Sequence, residues 1–142
     1  MTSTPVPSSA KPKPRLDGPE RPFWEGLRNG EVRVQRCERG HYRFPASRYC
    51  PVCHSSTSSW EAVPAEGEVE SFCIFHKAYF PGFEVPYAVV QVRLDSGVRF
   101  FSNLVGVPND RIRIGMRVSG VFEDAGDGVT LLKFRPSQEA SP

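Results

Sequence analysis

No stretch of this sequence approaches the ~20 consecutive apolar residues that a membrane-crossing helix needs. Its opening, MTSTPVPSSAKPKPRLDGPERP, lacks the apolar segment of a secretory leader. An excess of one charge is missing too. The 18 Lys and Arg stand against 16 Asp and Glu, a net charge of +2, too near neutral to mark a polyanion binder. Cysteine is scarce, at four in 142 residues. These absences lead to the expectation of a soluble cytoplasmic protein with no membrane and no nucleic acid among its partners. In that reducing setting its cysteines serve as metal ligands or free thiols and not as disulfides.

What is present has a globular balance, 39% hydrophobic and 24% charged. The length suits one ordinary domain, or a small module joined to a compact one. The 14 Pro and 12 Gly point to many turns and a disordered segment. Residues 1–20 are that segment, a tail with almost nothing to bury. A short helix follows, with Pro22 in its first turn and Gly30 at its end. Phe23 and Leu27 share one face, and Trp24 lies beside them. Phe23 and Trp24 either pack onto their own domain or face a partner.

Beyond the helix the hydrophobic period drops to two. Val32 and Val34 lie on a strand that delivers Cys37, and Tyr42-Arg43-Phe44 is a second strand ended by Pro45. Cys50-Pro51-Val52-Cys53 follows on a loop. That order of strand, ligand turn, strand and ligand turn is how a zinc ribbon is built. A C-x-x-C turn presents two thiolates to one ion, and a structural zinc wants four such donors around a tetrahedron. Cys37, Cys50 and Cys53 supply three. His41, His54 and Cys73 are the candidates for the fourth. His54 directly follows a ligand and should point away, while Cys73 lies in a strand where a small buried hydrophobe is the usual role. His41 makes a C-x-x-x-H turn with Cys37, and Gly40 gives that turn its freedom. The spacing favours His41, with a three-cysteine site as the alternative. No nearby carboxylate is spaced to make this a catalytic zinc.

From residue 60 onward the chain reads as all-β. Strands are expected at 67–76, 87–94, 98–105, 115–123 and 129–136, with Asp95-Ser96-Gly97 as a hairpin turn and residues 124–128 as a loop. Five strands with a long connection after the third point to a small closed Greek-key barrel of the OB type. The fold class is therefore mainly β: a short N-terminal helix and a zinc ribbon together over 21–62, a five-stranded OB barrel over 63–136 and a frayed end at 137–142.

Trp24-Glu25-Gly26-Leu27, Arg36-Cys37, Phe44-Pro45, Cys50-Pro51-x-Cys53 and His76-Lys77 run in order with three further motifs. These are Pro81-Gly82-Phe83-x-x-Pro86-Tyr87, Asn103-Leu104 and Arg113-Ile114-Gly115-Met116. Together they resemble the DUF35 family, whose members join a rubredoxin-like zinc ribbon to an OB-fold. The resemblance spans residues ~22–136, and departs where the family pattern places a second Cys near Gly40. It implies a partner of thiolase-like enzymes, either acetoacetyl-CoA thiolase or the lipid-transfer-protein-type thiolases and aldolases of steroid side-chain degradation. The OB domain then helps to hold the acyl-CoA while the partner carries the catalytic residues.

The residues make sense of that role. Cys73 and His76 point to opposite faces of one strand and cannot form a nucleophile–base pair, so no catalytic residue is assigned. His76, Lys77, Tyr79, Phe80 and Phe83 form an aromatic rim that suits a pantetheine arm, its phosphates or a partner. Arg111, Arg113 and Arg117 are solvated or line the nucleotide or partner side. The reading is a non-catalytic subunit carrying structural zinc, with a CoA thioester as ligand of the complex. The complex is expected to be a heterotetramer of two thiolase-like and two accessory chains. The competing class is a nucleic-acid-binding ribbon and OB module that stacks bases on Phe72, Tyr87, Phe100 and Phe101. Its basic residues do not cluster between those aromatics.

Overall fold

A computed structural model describes residues 13–79 and 82–137. Helix α1 (Arg21–Arg28) has proline in its first turn and stops where Gly30 takes φ 76°, a left-handed value that glycine adopts without strain. Phe23 and Leu27 are buried on its inner face. Strand β1 (Val32–Cys37) is the middle of a three-stranded antiparallel sheet, between β2 (Tyr42–Arg43) and β3 (Ser58–Val63). Strand β3 was not anticipated. Its Ser58-Ser59-Trp60-Glu61-Ala62 is mostly polar or small, and pairing with β1 along all six residues overrides that weak local preference.

The second sheet has the order β6-β5-β4-β7-β8, made of β4 (Glu66–Phe75), β5 (Tyr87–Leu94), β6 (Arg99–Asn103), β7 (Arg117–Gly126) and β8 (Val129–Pro136). A parallel bridge between Leu104 and Phe134 joins the two ends, helped by the Val105 N–H donating to the Phe134 carbonyl at 2.8 Å. That closure gives the OB barrel expected from the pattern. Two ends differ in detail. Strands β7 and β8 run on to a two-residue turn in which Asp127 and Gly128 take φ 56° and 79°. Asp-Gly suits such a turn because both positions need positive φ. Ser137 is not frayed: its N–H donates to the Arg117 carbonyl at 3.0 Å.

The expected N-terminal tail also shortens. Lys13 lies 3.3 Å from the Asp127 carboxylate, Leu16 is half-buried against the β7–β8 turn, and residues 1–12 lie outside those described. One core serves the helix, the ribbon and the barrel. The Phe23 ring packs at 4.8 Å from Phe44 and 5.8 Å from Phe100, and Phe44 at 4.2 Å from Phe100. Stacked and tilted ring pairs of this kind add to the stabilisation from burial alone.

Candidate functional site

Two turns carry the metal-ligand residues. The Cys37 N–H donates to the His41 carbonyl, and the Gly40 N–H to the Cys37 carbonyl, both at 2.9 Å. Gly40 closes this turn at φ 90°. The second turn is closed by the His54 N–H donating to the Cys50 carbonyl at 2.9 Å, with His54 itself at φ 64°. Buried Arg43 braces the loop between them. Its Nη2 donates to the Ser47 carbonyl at 2.8 Å and its Nε reaches Gln35 Oε1 at 3.2 Å.

The ligand atoms of Cys37, His41, Cys50 and Cys53 all lie within 4.8 Å of one another. Cys37 Sγ is 3.4 Å from His41 Nδ1 and 3.7 Å from Cys53 Sγ, and Cys50 Sγ is 3.6 Å from His41 Nδ1. Zinc–sulfur bonds of ~2.3 Å and zinc–nitrogen bonds of ~2.0 Å in a tetrahedron separate the donors by roughly 3.5–3.8 Å. The residues present fit that ion. Backbone N–H groups point at the sulfurs, His41 N to Cys37 Sγ at 3.4 Å and Val52 N to Cys50 Sγ at 3.3 Å. Burial pushes the Cys50 thiol up, but the N–H groups of Cys53 and Val52 outweigh it and bring the thiol down to about 6. The Cys37 thiol is lowered in the same way, against burial and by the N–H groups of His41 and Arg39. Hydrogen bonds to Cys37 and Cys50 raise His41. His54 is exposed and outside the cluster.

The remaining singled-out residues divide. Phe23 is 5% exposed, so it belongs to the core and offers no partner surface. Trp24 is half-buried on the wall of a groove of about 660 Å³ between α1, Phe44, β6 and β8. Cys73 was expected to be buried and is exposed, because it shares the outer face of the sheet with its register partner Val89. His76 and Lys77 are exposed just past β4, and Lys77 Nζ lies 5.3 Å from the centre of the Tyr79 ring. Phe80 lies outside the described residues. Phe83 packs 5.6 Å from Tyr87, which stacks 5.2 Å from Phe75. Of Phe72, Tyr87, Phe100 and Phe101, Phe100 is buried and Phe72 turns to the inner face of β4. The four-ring base platform is therefore not formed.

Sequence reasoning missed the outer face of the barrel. Phe75, Tyr79, Phe83, Tyr87, Val89 and Phe101 line one open depression there, with Phe101 at 73% exposure. The available signal was that YAVVQV is apolar at both parities, where a strand with one solvated face alternates.

Two family models match in tandem: the rubredoxin-like zinc ribbon domain of ChsH2 over residues 24–59, and the C-terminal OB-fold domain of ChsH2 over residues 60–123. A DUF35 domain-containing scaffold protein of Pyrococcus furiosus is 33% identical over 109 residues, 71% of this chain and 79% of the relative. The chain belongs to the DUF35 family. A solved structure described as the Ltp2-ChsH2(DUF35) aldolase contains a chain of the same fold. The match has a TM-score of 0.79 and 33% identity, covering 87% of this chain and 98% of that one. A probable enoyl-CoA hydratase alpha subunit of Thermomonospora curvata is 34% identical over 134 residues, 92% of this chain and 41% of the relative. This DUF35 chain thus spans about two fifths of that relative's length.

Proposed function

We propose that this chain is a non-catalytic accessory subunit that binds and stabilises a thiolase-like enzyme acting on acyl-CoA, as thiolase or retro-aldolase, and helps to hold the CoA thioester. The steroid side-chain reaction implied by the family resemblance is the form of that activity we favour. The observation that carries the reading is the match across nearly the whole of a DUF35 chain solved within an aldolase. Two features of the site agree with it. Cys73 is exposed, and no His or carboxylate hydrogen-bonds to it among the described residues, so it lacks the activating base of a nucleophile. The Cys37, His41, Cys50 and Cys53 cluster has four protein donors, which closes a zinc site and leaves no position for substrate. The metal's role is to cross-link two turns.

The barrel brings apolar surface. Tyr79, Phe83 and Phe101, with Trp24 on the neighbouring groove, are the residues we assign to the partner or to the pantetheine arm, with the His76 ring and the Lys77 cation beside them. The test is turnover. Alone the chain should process no acyl-CoA, and with the partner the Cys73→Ala variant should keep full activity. Activity of the lone chain, or its loss in a folded Cys73→Ala complex, contradicts the reading.

A further inference from the structure

Strand β4 is ten residues long, yet β7 accompanies it only at Glu66, Gly67 and Glu68. Val69 makes the last contacts on that side, its N–H donating to the Met116 carbonyl and its carbonyl accepting from the Gly115 N–H. A bulge at Glu70 then shifts the register, and Glu70 is held down by Arg99 at 2.7 Å. Beyond it no described strand lies beside β4 on its β7 side.

The direction of the backbone groups there follows from the neighbouring ladder. The Leu94 N–H donates to the Val98 carbonyl and the Ala88 carbonyl accepts from Asn103 Nδ2, both on the β6 side. Alternate residues of a strand point opposite ways, so Val92, Val90 and Ala88 turn to β6, while Gln91, Val89 and Tyr87 turn to β4. Their register partners Ser71, Cys73 and Phe75 complete that ladder. Phe72 and Ile74 therefore aim N–H and C=O at the empty side.

Past the bulge at Glu70 that edge carries neither charge nor proline, two of the devices by which proteins blunt one. Ser71-Phe72-Cys73-Ile74-Phe75 has no charge and no proline, Phe72 is 37% exposed, and Ile114 alongside the Val69 end is 64% exposed. Cations stand at both ends: Arg111 and Arg113 in the exposed loop before β7, and Lys77 after β4.

We infer that residues 70–75 of β4 receive an extended segment of the partner protein as an added strand. Unpaired N–H and C=O groups in a row are complementary to another strand and to little else, and edge addition is a recurring mode of recognition. The segment has an uncharged, apolar, proline-free centre to match Phe72 and Ile74, with acidic residues at its flanks to meet the three cations. The identity of the partner rests on the reading above; the location and mode of contact do not.

Amide exchange followed by NMR, on the chain alone and in complex with the co-expressed thiolase-like enzyme, tests this. The Phe72 and Ile74 amides should exchange freely in the lone chain and slow by more than about tenfold in the complex. Ile74→Pro removes one outward donor and no β4–β5 hydrogen bond, and should weaken the complex by roughly tenfold. Ile74 also packs against the core, so the thermal midpoint of Ile74→Pro should fall modestly while its metal content is retained, and Ile74→Val should bind normally. If a complex forms while both amides stay open, the edge inference is wrong and the accessory reading stands. If no complex forms, both are wrong. Protection that grows with the concentration of the chain alone assigns the edge to a second copy and overturns the inference.

Discussion

At His41 the choice of an imidazole over a second thiolate is a matter of reach. The Cys37 turn carries one residue more than a C-x-x-C knuckle, and the longer ring brings Nδ1 to 3.4 and 3.6 Å from the two nearest sulfurs. The purified chain should bind about one zinc. Cys50→Ser and His41→Ala should each release it on dialysis against a weak chelator, and His41→Cys, whose side chain is shorter, should hold it less tightly than the native chain. Elemental analysis decides, and undiminished affinity in His41→Ala would remove His41 from the ligand set. A second residue-scale prediction concerns Asp95, which Arg117 grips with two hydrogen bonds of 2.9 Å. That grip, outweighing desolvation, holds the Asp95 carboxyl below the usual range. A lowered folded value gives stability that is present above the unfolded pKa and lost as pH falls through the folded one. The difference in thermal midpoint between the native chain and Asp95→Asn should be constant above pH ~5 and close toward pH ~2. Both residues are half-exposed, so the effect is small. A difference that ignores pH would show that the pair contributes nothing through its charge.

Among the elements, α1 and β2 matter because their aromatic rings close the barrel's seam. Strands β6 and β8 touch at the Leu104–Phe134 bridge, and at Ser102 Oγ donating to the Leu132 carbonyl. Phe23 and Phe44 meet Phe100 in the same region. Phe23→Ala should cost ~3–5 kcal/mol, read by denaturant unfolding, and should loosen ribbon and barrel in one transition. Gly67 pairs with Leu94 of β5, and a Cβ there would run into the Arg93 carbonyl oxygen. Gly67→Ala should destabilise by ~1–3 kcal/mol. Separate transitions for ribbon and barrel in the native chain would contradict the shared core. The helix, β1, the ligand turns and the later strands were legible because period, proline, glycine and cysteine spacing act locally. Strand β3 was not, since its pairing with β1 is set by tertiary contact. Nor was the exposure of Cys73, which depends on the bulge after Val69 that turns Ser71, Cys73 and Phe75 to the outer face. The outer aromatic face was half legible: Tyr79 and Phe83 were singled out as a rim, and Tyr87 and Phe101 only as part of a base-stacking platform, while Phe75 and Val89 were not singled out.

The whole molecule combines a closed metal cluster with a barrel whose apolar surface is larger than its own core requires. Among the described residues no helix is long and apolar enough to cross a membrane. Tyr79 and Phe101 are 60% and 73% exposed, on the face that Phe75, Phe83, Tyr87 and Val89 also line. Large exposed apolar patches mark interaction sites, and aromatic anchors at such sites typically carry ~2 kcal/mol or more each. Phe101→Ala should therefore weaken the complex more than it changes the stability of the free chain. The claim that this protein works as the accessory subunit of a thiolase-like enzyme is tested most directly by the mass of the co-expressed pair. Gel filtration with light scattering should give one species containing two copies of each chain. A DUF35 chain that elutes alone beside every thiolase-like partner offered to it, correctly folded and loaded with zinc, would contradict the account.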